Sequence, residues 1–194
     1  MIGEIRHNLT VSKKSQLVLV LIGIVLMTAF TITYRNQLLK MGEWGYFGIF
    51  FSCLIANSTV FLPAPSSAIV FSFANVYLPF WVALVGTFGA VVGEHIGYLA
   101  GVAGRKSIEK NEQEEKIIYY VEKYGMIAVF VFAFLPLPLF DLVGIAAGAM
   151  KMSYPLFLIP CLLGKFLKML IYAYAGASLL PLLSPLFENF LEGV

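Results

Sequence analysis

The chain has 194 residues, of which 60% are hydrophobic and only 12% are charged. A typical soluble domain has about 25% charged residues and about half apolar ones. The 13 Lys and Arg residues are scattered, so no basic patch is available for nucleic acid. Cys53 and Cys161 lie in apolar stretches and lack the spacing of a metal site or a disulfide framework. The composition excludes a soluble enzyme, a disordered regulator and a nucleic-acid-binding protein, and it predicts an integral membrane protein.

The N-terminal part is a polar tail followed by an apolar run. Residues 1–16 are mostly polar, and the apolar run from Leu17 to Tyr34 ends at Arg35. Eighteen apolar residues are enough to span ~30 Å of hydrocarbon. The start resembles a signal peptide, but no small-residue cleavage site precedes the arginine. Residues 17–35 are therefore predicted to be an uncleaved transmembrane anchor, with the signal peptide as the alternative.

The next apolar block, residues 46–78, is interrupted by Pro63 and Pro65. A proline removes a backbone N–H and disfavours helical conformation in the residue before it. The second limb, residues 66–78, would reach only ~20 Å and cannot span a bilayer alone. We therefore predict a re-entrant hairpin with its tip at the two prolines, followed by a full span over residues 79–101. Kinked full spans are the alternative.

The same pattern recurs in the second half of the chain. Residues 126–150 are apolar and are interrupted by Pro136 and Pro138, and a full span from Tyr154 to Ala177 follows. Between the two repeats, residues 105–124 contain five Lys or Arg and five Glu. This stretch is predicted to be a helix on the membrane surface, with a solvated connector helix as the alternative.

Counting the crossings gives the topology and the fold class. A hairpin does not cross the membrane and a span crosses it once, so the two repeats have opposite orientations, as in many secondary transporters. With a cytoplasmic N-terminus, nine Lys or Arg fall inside and two outside, in agreement with the positive-inside rule. We predict an all-α polytopic membrane protein with an inverted repeat of re-entrant hairpin plus transmembrane helix. The predicted segments are the cytoplasmic tail 1–16, the anchor 17–35, the membrane domain 45–177 (repeat 1 46–101, surface helix 105–124, repeat 2 126–177) and an interfacial C-terminal segment 178–194.

A family resemblance follows from the glycine-rich span. Residues 89–101 read Gly-Ala-Val-Val-Gly-Glu-His-Ile-Gly-Tyr-Leu-Ala-Gly and resemble the G-x-x-x-G-[DE]-x-x-x-Y-x-x-G signature of the DedA family, the VTT-domain or SNARE-associated-Golgi-protein superfamily. The second half matches that family's second repeat in order, at Tyr124-Gly125, Phe134-Leu-Pro-Leu-Pro138, Ala147-Gly148, Phe157, Gly164 and Gly176. The resemblance covers about residues 45–177. It implies a lipid-handling membrane protein with two facing re-entrant hairpins. Bacterial members are linked to recycling of polyprenyl-phosphate carriers and to proton-motive-force homeostasis, and eukaryotic relatives to phospholipid scrambling.

Ionisable residues within the predicted spans are candidates for function. Charges in hydrocarbon cost at least ~2.5–3.5 kcal/mol each on insertion scales, so they are normally functional or paired. Glu94 lies in the first span, and Lys165 and Lys168 lie one turn apart in the second. Glu94 either couples protons or contacts a headgroup, or it forms a structural ion pair with one of the lysines. Asp141, in the first turn after the second tip, either caps its helix or binds a proton, a sodium ion or an amine headgroup.

The polar residues near the first tip suggest a second mechanism. Ser66 and Ser67 suit an N-cap role, and Asn57 is a further polar candidate there. Two helix starts that meet near the midplane would present unpaired N–H groups to an anion such as a lipid phosphate. The span that carries Glu94 also has a strip of glycines, which predicts close helix packing or a groove for a lipid tail. The strip consists of Gly89, Gly93, Gly97 and Gly101.

These features favour a lipid transporter or scramblase that moves a phosphate-bearing lipid, either polyprenyl phosphate or phospholipid. The candidate coupling ions are the proton and sodium. The alternatives are an ion-coupled transporter of a small soluble solute and a non-transporting membrane scaffold. No enzyme, metal or cofactor is expected, because no nucleophile–base constellation, metal cluster or phosphatase-like motif is present. The expected partners are membrane lipids, with a homo-oligomer left open, and the expected location is a cell (inner) membrane.

Overall fold

The computed structural model describes residues 13–58, 66–103, 112–135 and 140–192, and all regular elements in these ranges are α-helices. The all-α class is therefore confirmed for the described residues. The helices are α1 Lys13–Thr33, α2 Arg35–Lys40, α3 Trp44–Ser58, α4 Ser66–Phe73, α5 Pro79–Ala103, α6 Glu112–Tyr124, α7 Met126–Phe134, α8 Phe140–Ala149 and α9 Tyr154–Glu192. Several predicted features lie outside the described residues: tail residues 1–12, the tip prolines Pro63, Pro65, Pro136 and Pro138, and residues 105–111 of the surface helix.

Two described helices are long and apolar enough to cross a membrane. They are α5, with 25 residues, and the part of α9 from Tyr154 to Leu182, with 29 residues. At ~1.5 Å per residue each exceeds the ~30 Å of a bilayer core. On α5 the large apolar side chains Phe88, Ile96 and Leu99 are exposed. Such a surface suits contact with lipid, as expected for a helix that crosses the bilayer.

Four shorter helices occupy the positions of the predicted hairpin limbs. α3 has 15 residues, α4 has 8, α7 has 9 and α8 has 10. None reaches more than ~23 Å, so none can cross ~30 Å of hydrocarbon alone. The second limb of the first hairpin is shorter than predicted, because α4 ends at Phe73 rather than Leu78. The N–H groups of Val76 and Tyr77 both donate to the Phe73 carbonyl, which turns the chain before α5 begins at Pro79.

The N-terminal helices are attached to α4 and to the turn that follows it by polar contacts. The hydroxyl groups of Thr28 on α1 and Ser72 on α4 lie 3.2 Å apart, and both residues are buried. The Tyr77 hydroxyl donates to the Leu38 carbonyl on α2. These bonds hold α1 and α2 beside α4.

The two long helices pack against each other and against the short helices. α5 contacts α3 and α8, whereas α9 contacts α7 and α4. The buried apolar side chains form two clusters. The first joins α3, α4 and α5 to α9 at Met169, and the second joins α6, α7 and α8 to α9 at Phe157 and Cys161. Residue 165 of α9 therefore lies between the two clusters.

The charged stretch in the middle of the chain contributes an amphipathic helix, α6, to the second cluster. On α6, Ile117 and Val121 are buried, while Tyr119, Tyr120 and Lys123 are exposed. α6 contacts α7 and α8 with its apolar face. Its polar and aromatic face is left for water or for the membrane surface.

The C-terminal part differs from the prediction. α9 does not end at Ala177 but continues through Pro181 and Pro185 to Glu192, over 39 residues. Residues 178–192 therefore continue the helix instead of forming a separate element. A proline removes one donor from the helical ladder and disturbs one turn. Helices of membrane proteins tolerate this loss, so the two prolines were a poor signal for the end of the helix.

Candidate functional site

The central feature of the molecule is a buried ion pair between its two long helices. The Lys165 Nζ atom on α9 lies 2.6 Å from the Glu94 Oε1 atom on α5, and both side chains are only 2% exposed. The same ammonium donates to the Asn57 Oδ1 atom on α3, at 3.1 Å. Three residues proposed from the sequence, up to 108 positions apart, thus meet at one point.

Glycines beside the two charges explain how the backbones come so close. On α5, Gly93 precedes Glu94, and a Cβ atom there would lie within 3 Å of the backbone of Leu54 and Asn57 on α3. On α9, Gly164 precedes Lys165, and a Cβ atom there would meet the Phe130 carbonyl of α7 at 2.6 Å. Small residues allow such approach between membrane helices. The close helix contact at each glycine therefore fixes the backbone position of the charged residue that follows it.

Asn57 has a fixed orientation. Its Nδ2 atom donates to the Cys53 carbonyl one turn earlier on α3, at 2.7 Å, which turns the Oδ1 atom toward Lys165. The ammonium therefore has a carboxylate oxygen and an amide oxygen as acceptors. Hydrogen bonds from a charged donor are shorter and stronger than neutral ones.

The electrostatics of the pair depend on its burial. Two charges lose their hydration when they are buried together, and only good geometry and further hydrogen bonds compensate for that loss. Removing one partner leaves the other charge without compensation. The pair as a unit is neutral. Across the described part of the chain, no group of three or more His, Cys, Asp or Glu side chains could hold a metal ion.

The other candidate residues surround this pair or fall beyond the description. Lys168 is half-buried one turn after Lys165. Ser66 is the first residue of α4 and is buried, and its carbonyl accepts a weak hydrogen bond from the Cys53 Sγ atom at 3.9 Å. Ser67, which follows it, is half-buried. Asp141 is the second residue of α8, and its side chain lies outside the described residues.

The glycine strip on α5 is covered by protein backbone. A Cβ atom at Gly89 would overlap the Phe50 carbonyl of α3, and one at Gly101 would overlap the Ile145 carbonyl of α8. Gly97, between them, is also buried. The strip lies against two neighbouring helices, so at these contacts there is no groove for a lipid tail.

Some details of the site were not visible in the sequence. The one-turn spacing of Lys165 and Lys168 did not distinguish which of them meets Glu94. The bridging role of Asn57 was not predicted either, since it depends on the rotation of α3 about its axis. His95, next to Glu94, is directed elsewhere: its Nδ1 atom lies 2.7 Å from the Val91 carbonyl, and its ring packs edge-to-face on Tyr154.

Comparisons with known proteins identify a family for this chain. A family model described as the VTT domain matches residues 63–178. Two proteins named alkaline phosphatase-like protein, from two strains of Lactococcus lactis, are 32% and 31% identical over 158 residues, covering 72% of this chain and 72% of each relative. An uncharacterised protein of Methanocaldococcus jannaschii is 33% identical over 137 residues, covering 65% of this chain and 80% of that protein. No solved structure matches the chain.

Proposed function

Because the chain belongs to the VTT-domain family, also called the DedA or SNARE-associated family, we propose that it moves a phosphate-bearing lipid across the bilayer. The substrate is a polyprenyl phosphate or a phospholipid. The observation that carries the proposal is the buried cluster of Glu94, Lys165 and Asn57 between the two long helices. A lysine ammonium can pair with a phosphate, and an ionisable group inside a membrane is by default a candidate for a transport path.

The depth of the cluster supports this proposal. Glu94 is nine residues from the end of α5, or ~14 Å along the helix, and Lys165 is eleven residues from the start of α9, or ~17 Å. Both positions are near the middle of a ~30 Å hydrocarbon layer. A lipid headgroup that passes between the leaflets must cross this depth while its tails remain in the bilayer. A charged pair at this depth would give a crossing headgroup a partner.

Matching contacts in the two halves support an inverted repeat. In the first half, Gly89 of α5 packs against the Phe50 carbonyl on the first limb of its own hairpin. In the second half, Gly164 of α9 packs against the Phe130 carbonyl in the same way. Each long helix therefore rests on the short helix that opens its own repeat.

A second set of glycines connects each long helix to the opposite hairpin. Twelve residues after the first contact on each long helix, Gly101 meets the Ile145 carbonyl on α8, and Gly176 meets the Phe71 carbonyl on α4. Both the equal spacing and the exchange of partners are what a two-fold axis between the repeats would produce. We infer two re-entrant hairpins that enter from opposite sides, with repeat 1 and repeat 2 in opposite orientations.

The proposed path follows from this arrangement. Lys165 supplies positive charge at the junction of α3, α5 and α9, and Glu94 balances that charge when no lipid is present. Lys168, Asp141, Ser66 and Ser67 are further candidates to line the path. The N-terminus and α6 lie on the cytoplasmic side of the cell (inner) membrane in this proposal. The proposed activity is transport rather than hydrolysis, although the two lactococcal relatives are named alkaline phosphatase-like protein.

Lipid translocation in proteoliposomes tests the function. The purified protein is reconstituted in liposomes that contain fluorescent phosphatidylglycerol, labelled polyprenyl phosphate or a fluorescent glycolipid without phosphate. We expect the two phosphate lipids to move between leaflets faster than in protein-free liposomes, and the glycolipid not to. Movement of water-soluble glycerol phosphate instead would favour the solute transporter. Absence of any movement would contradict the proposal, as would release of inorganic phosphate without translocation.

A further inference from the structure

We propose that the C-terminal half of α6 anchors the protein to the anionic headgroups of the nearest leaflet. The anchor, the tyrosine face, consists of Tyr119, Tyr120, Lys123 and Tyr124. Its rings lie at the boundary between hydrocarbon and water, and its lysine pairs with a lipid phosphate. The inference goes beyond the proposed function and does not depend on it, because a lipid transporter and a membrane scaffold can both carry such an anchor.

The first step of the argument is that α6 has a second face besides the one it buries. Ile117 and Val121 pack in the second cluster and are only 3% and 2% exposed. Tyr119, Tyr120 and Tyr124 are 53%, 45% and 48% exposed. Tyrosine has an amphipathic ring and is enriched at membrane–water interfaces. Three exposed tyrosines on one short helix of a membrane protein are therefore typical of a helix that lies in the interface.

The rings form one continuous surface with α7. The Tyr120 ring contacts Tyr119 and Tyr124, with ring centroids 5.6 Å and 6.3 Å away. It also packs edge-on against Phe132 of α7, at 6.3 Å between centroids. All nine residues of α7 are apolar. The tyrosine face therefore continues the apolar surface of α7 and is not an isolated patch.

The chain connection sets the depth of the tyrosine face. Gly125 alone separates α6 from α7, and its φ of 53° makes the turn between them. Ile127, in the first turn of α7, is 67% exposed, which suits contact with lipid. Consecutive Cα atoms are about 3.8 Å apart, so Tyr124 lies within about 12 Å of Ile127. The last turn of α6 is thus held at the level where the apolar chain enters the hydrocarbon.

Lys123 supplies positive charge at the same depth. Its Nζ atom donates to the Tyr119 hydroxyl at 3.2 Å and lies 5.4 Å and 5.2 Å from the ring centroids of Tyr119 and Tyr124. The two rings hold the ammonium on the tyrosine face by cation–π attraction. An ammonium has three donors, so the bond to Tyr119 leaves donors for a phosphate oxygen. Basic residues at this depth are attracted to leaflets that contain anionic lipids.

The position of Glu122 agrees with this orientation of the helix. Two residues of an α-helix are about 200° apart, so Glu122 lies about 160° around α6 from both Tyr120 and Tyr124. Its side chain is exposed. With the tyrosine face in the membrane, this carboxylate points toward water and away from the anionic headgroups.

Fluorescence quenching on the full chain in lipid nanodiscs tests the orientation. The native thiols are fully buried, so bimane labels only an introduced cysteine. The labelled variants are Tyr120→Cys and, as the matched control on the opposite flank, Glu122→Cys. We expect the label at position 120 to be quenched by lipids that carry a nitroxide near the headgroup and to be shielded from aqueous iodide. The label at position 122 should show the reverse pattern.

The charge of the headgroup tests the phosphate contact. In the Tyr120→Cys variant, nitroxide-labelled phosphatidylglycerol is compared with nitroxide-labelled phosphatidylcholine, and we expect phosphatidylglycerol to quench at the lower mole fraction. Adding Lys123→Gln should reduce this preference about fivefold, the factor that corresponds to one basic residue near a charged leaflet. Adding Lys40→Gln, an exposed lysine on α2, should leave the preference unchanged.

Three results would overturn the inference. Equal quenching of both labels by iodide would make α6 a solvated connector. Shielding of position 120 from both quenchers would mean that a protein surface, such as a second copy of this chain, covers the tyrosine face. Equal quenching by the two lipids, or a preference that survives Lys123→Gln, would show that Lys123 does not bind the anionic headgroup. None of these results bears on lipid translocation, which is measured separately.

Discussion

Lys165 contacts side chains from two other helices, and these contacts determine how its substitution changes the stability of the protein. The ammonium bonds to Glu94 on α5 and to Asn57 on α3, so a substitution of either charged residue leaves the other one buried and uncompensated. The cost of such an uncompensated charge is ~3–5 kcal/mol, whereas replacing both charges with residues of similar volume is often nearly neutral. The pair is therefore a natural subject for a double-mutant cycle.

We predict that Glu94→Gln and Lys165→Met each destabilise the protein by ~3–5 kcal/mol. The double variant should be more stable than either single variant, because it leaves no buried charge. Thermal unfolding in detergent, monitored by circular dichroism, gives the change in unfolding free energy for each single variant and for the double variant. These three values give the coupling energy. The exposed pair Lys116→Met and Glu122→Gln on α6 serves as the matched control, with additive effects close to zero. Additive losses at positions 94 and 165 would contradict the proposed coupling.

At the scale of elements, glycine contacts hold the long helices against the short ones. A Cβ atom at Gly89 or Gly164 would run into a backbone carbonyl of the neighbouring helix, which cannot move aside as a side chain can. Overpacking of this kind typically costs ~1–3 kcal/mol. Gly48 on α3 offers a contrast, since nothing lies within 4 Å of its Cβ position.

We predict that Gly89→Ala and Gly164→Ala lower the unfolding temperature, by similar amounts if the two repeats are equivalent. Gly48→Ala should leave it unchanged or raise it, because alanine favours the helix by up to ~1 kcal/mol over glycine. Thermal unfolding of the three variants in one detergent gives the comparison. A Gly89→Ala variant as stable as Gly48→Ala would mean that α3 and α5 are further apart than described.

Some features of these elements could be predicted from patterns in the sequence, and others depend on tertiary contacts that the sequence does not show. Charges in apolar runs singled out Glu94, Lys165 and Lys168, because few other ionisable groups occur there. The sequence could not tell which lysine pairs with Glu94, since the rotation of one helix against another is a tertiary property. It also placed the end of α4 too late, because residues 74–78 are apolar through the turn except for Asn75. Pro181 suggested an end to α9 that the helix does not have.

At the scale of the whole molecule, the proposed inverted repeat predicts which segments share a side of the membrane. If the hairpins do not cross, α6 lies on the same side as the N-terminus, and α2 lies on the opposite side. If each interrupted segment were a kinked full span, α6 would fall outside. The native thiols Cys53 and Cys161 are fully buried, so an impermeant thiol reagent reports on an introduced cysteine.

We predict that Glu122→Cys is labelled by an impermeant maleimide only in inside-out vesicles, whereas Lys40→Cys is labelled only in right-side-out cells or spheroplasts. Both positions are exposed in the structure, so lack of labelling reflects the membrane barrier and not burial. The unsubstituted chain is the control for background reaction. Labelling of Glu122→Cys from outside would support kinked full spans and would contradict the inverted repeat.

The central claim is that the buried pair lies on the path of a phosphate-bearing lipid. The most direct measurement is the rate of phosphatidylglycerol translocation in proteoliposomes for the double variant Glu94→Gln/Lys165→Met, with Glu122→Gln/Lys116→Met as the matched control. The double variant removes both charges without leaving one unpaired, so its loss of activity would not reflect a loss of fold. We predict that it moves lipid no faster than protein-free liposomes, while the control moves it like the wild type. Translocation by the folded double variant at the wild-type rate would contradict the account and reduce the pair to a structural contact.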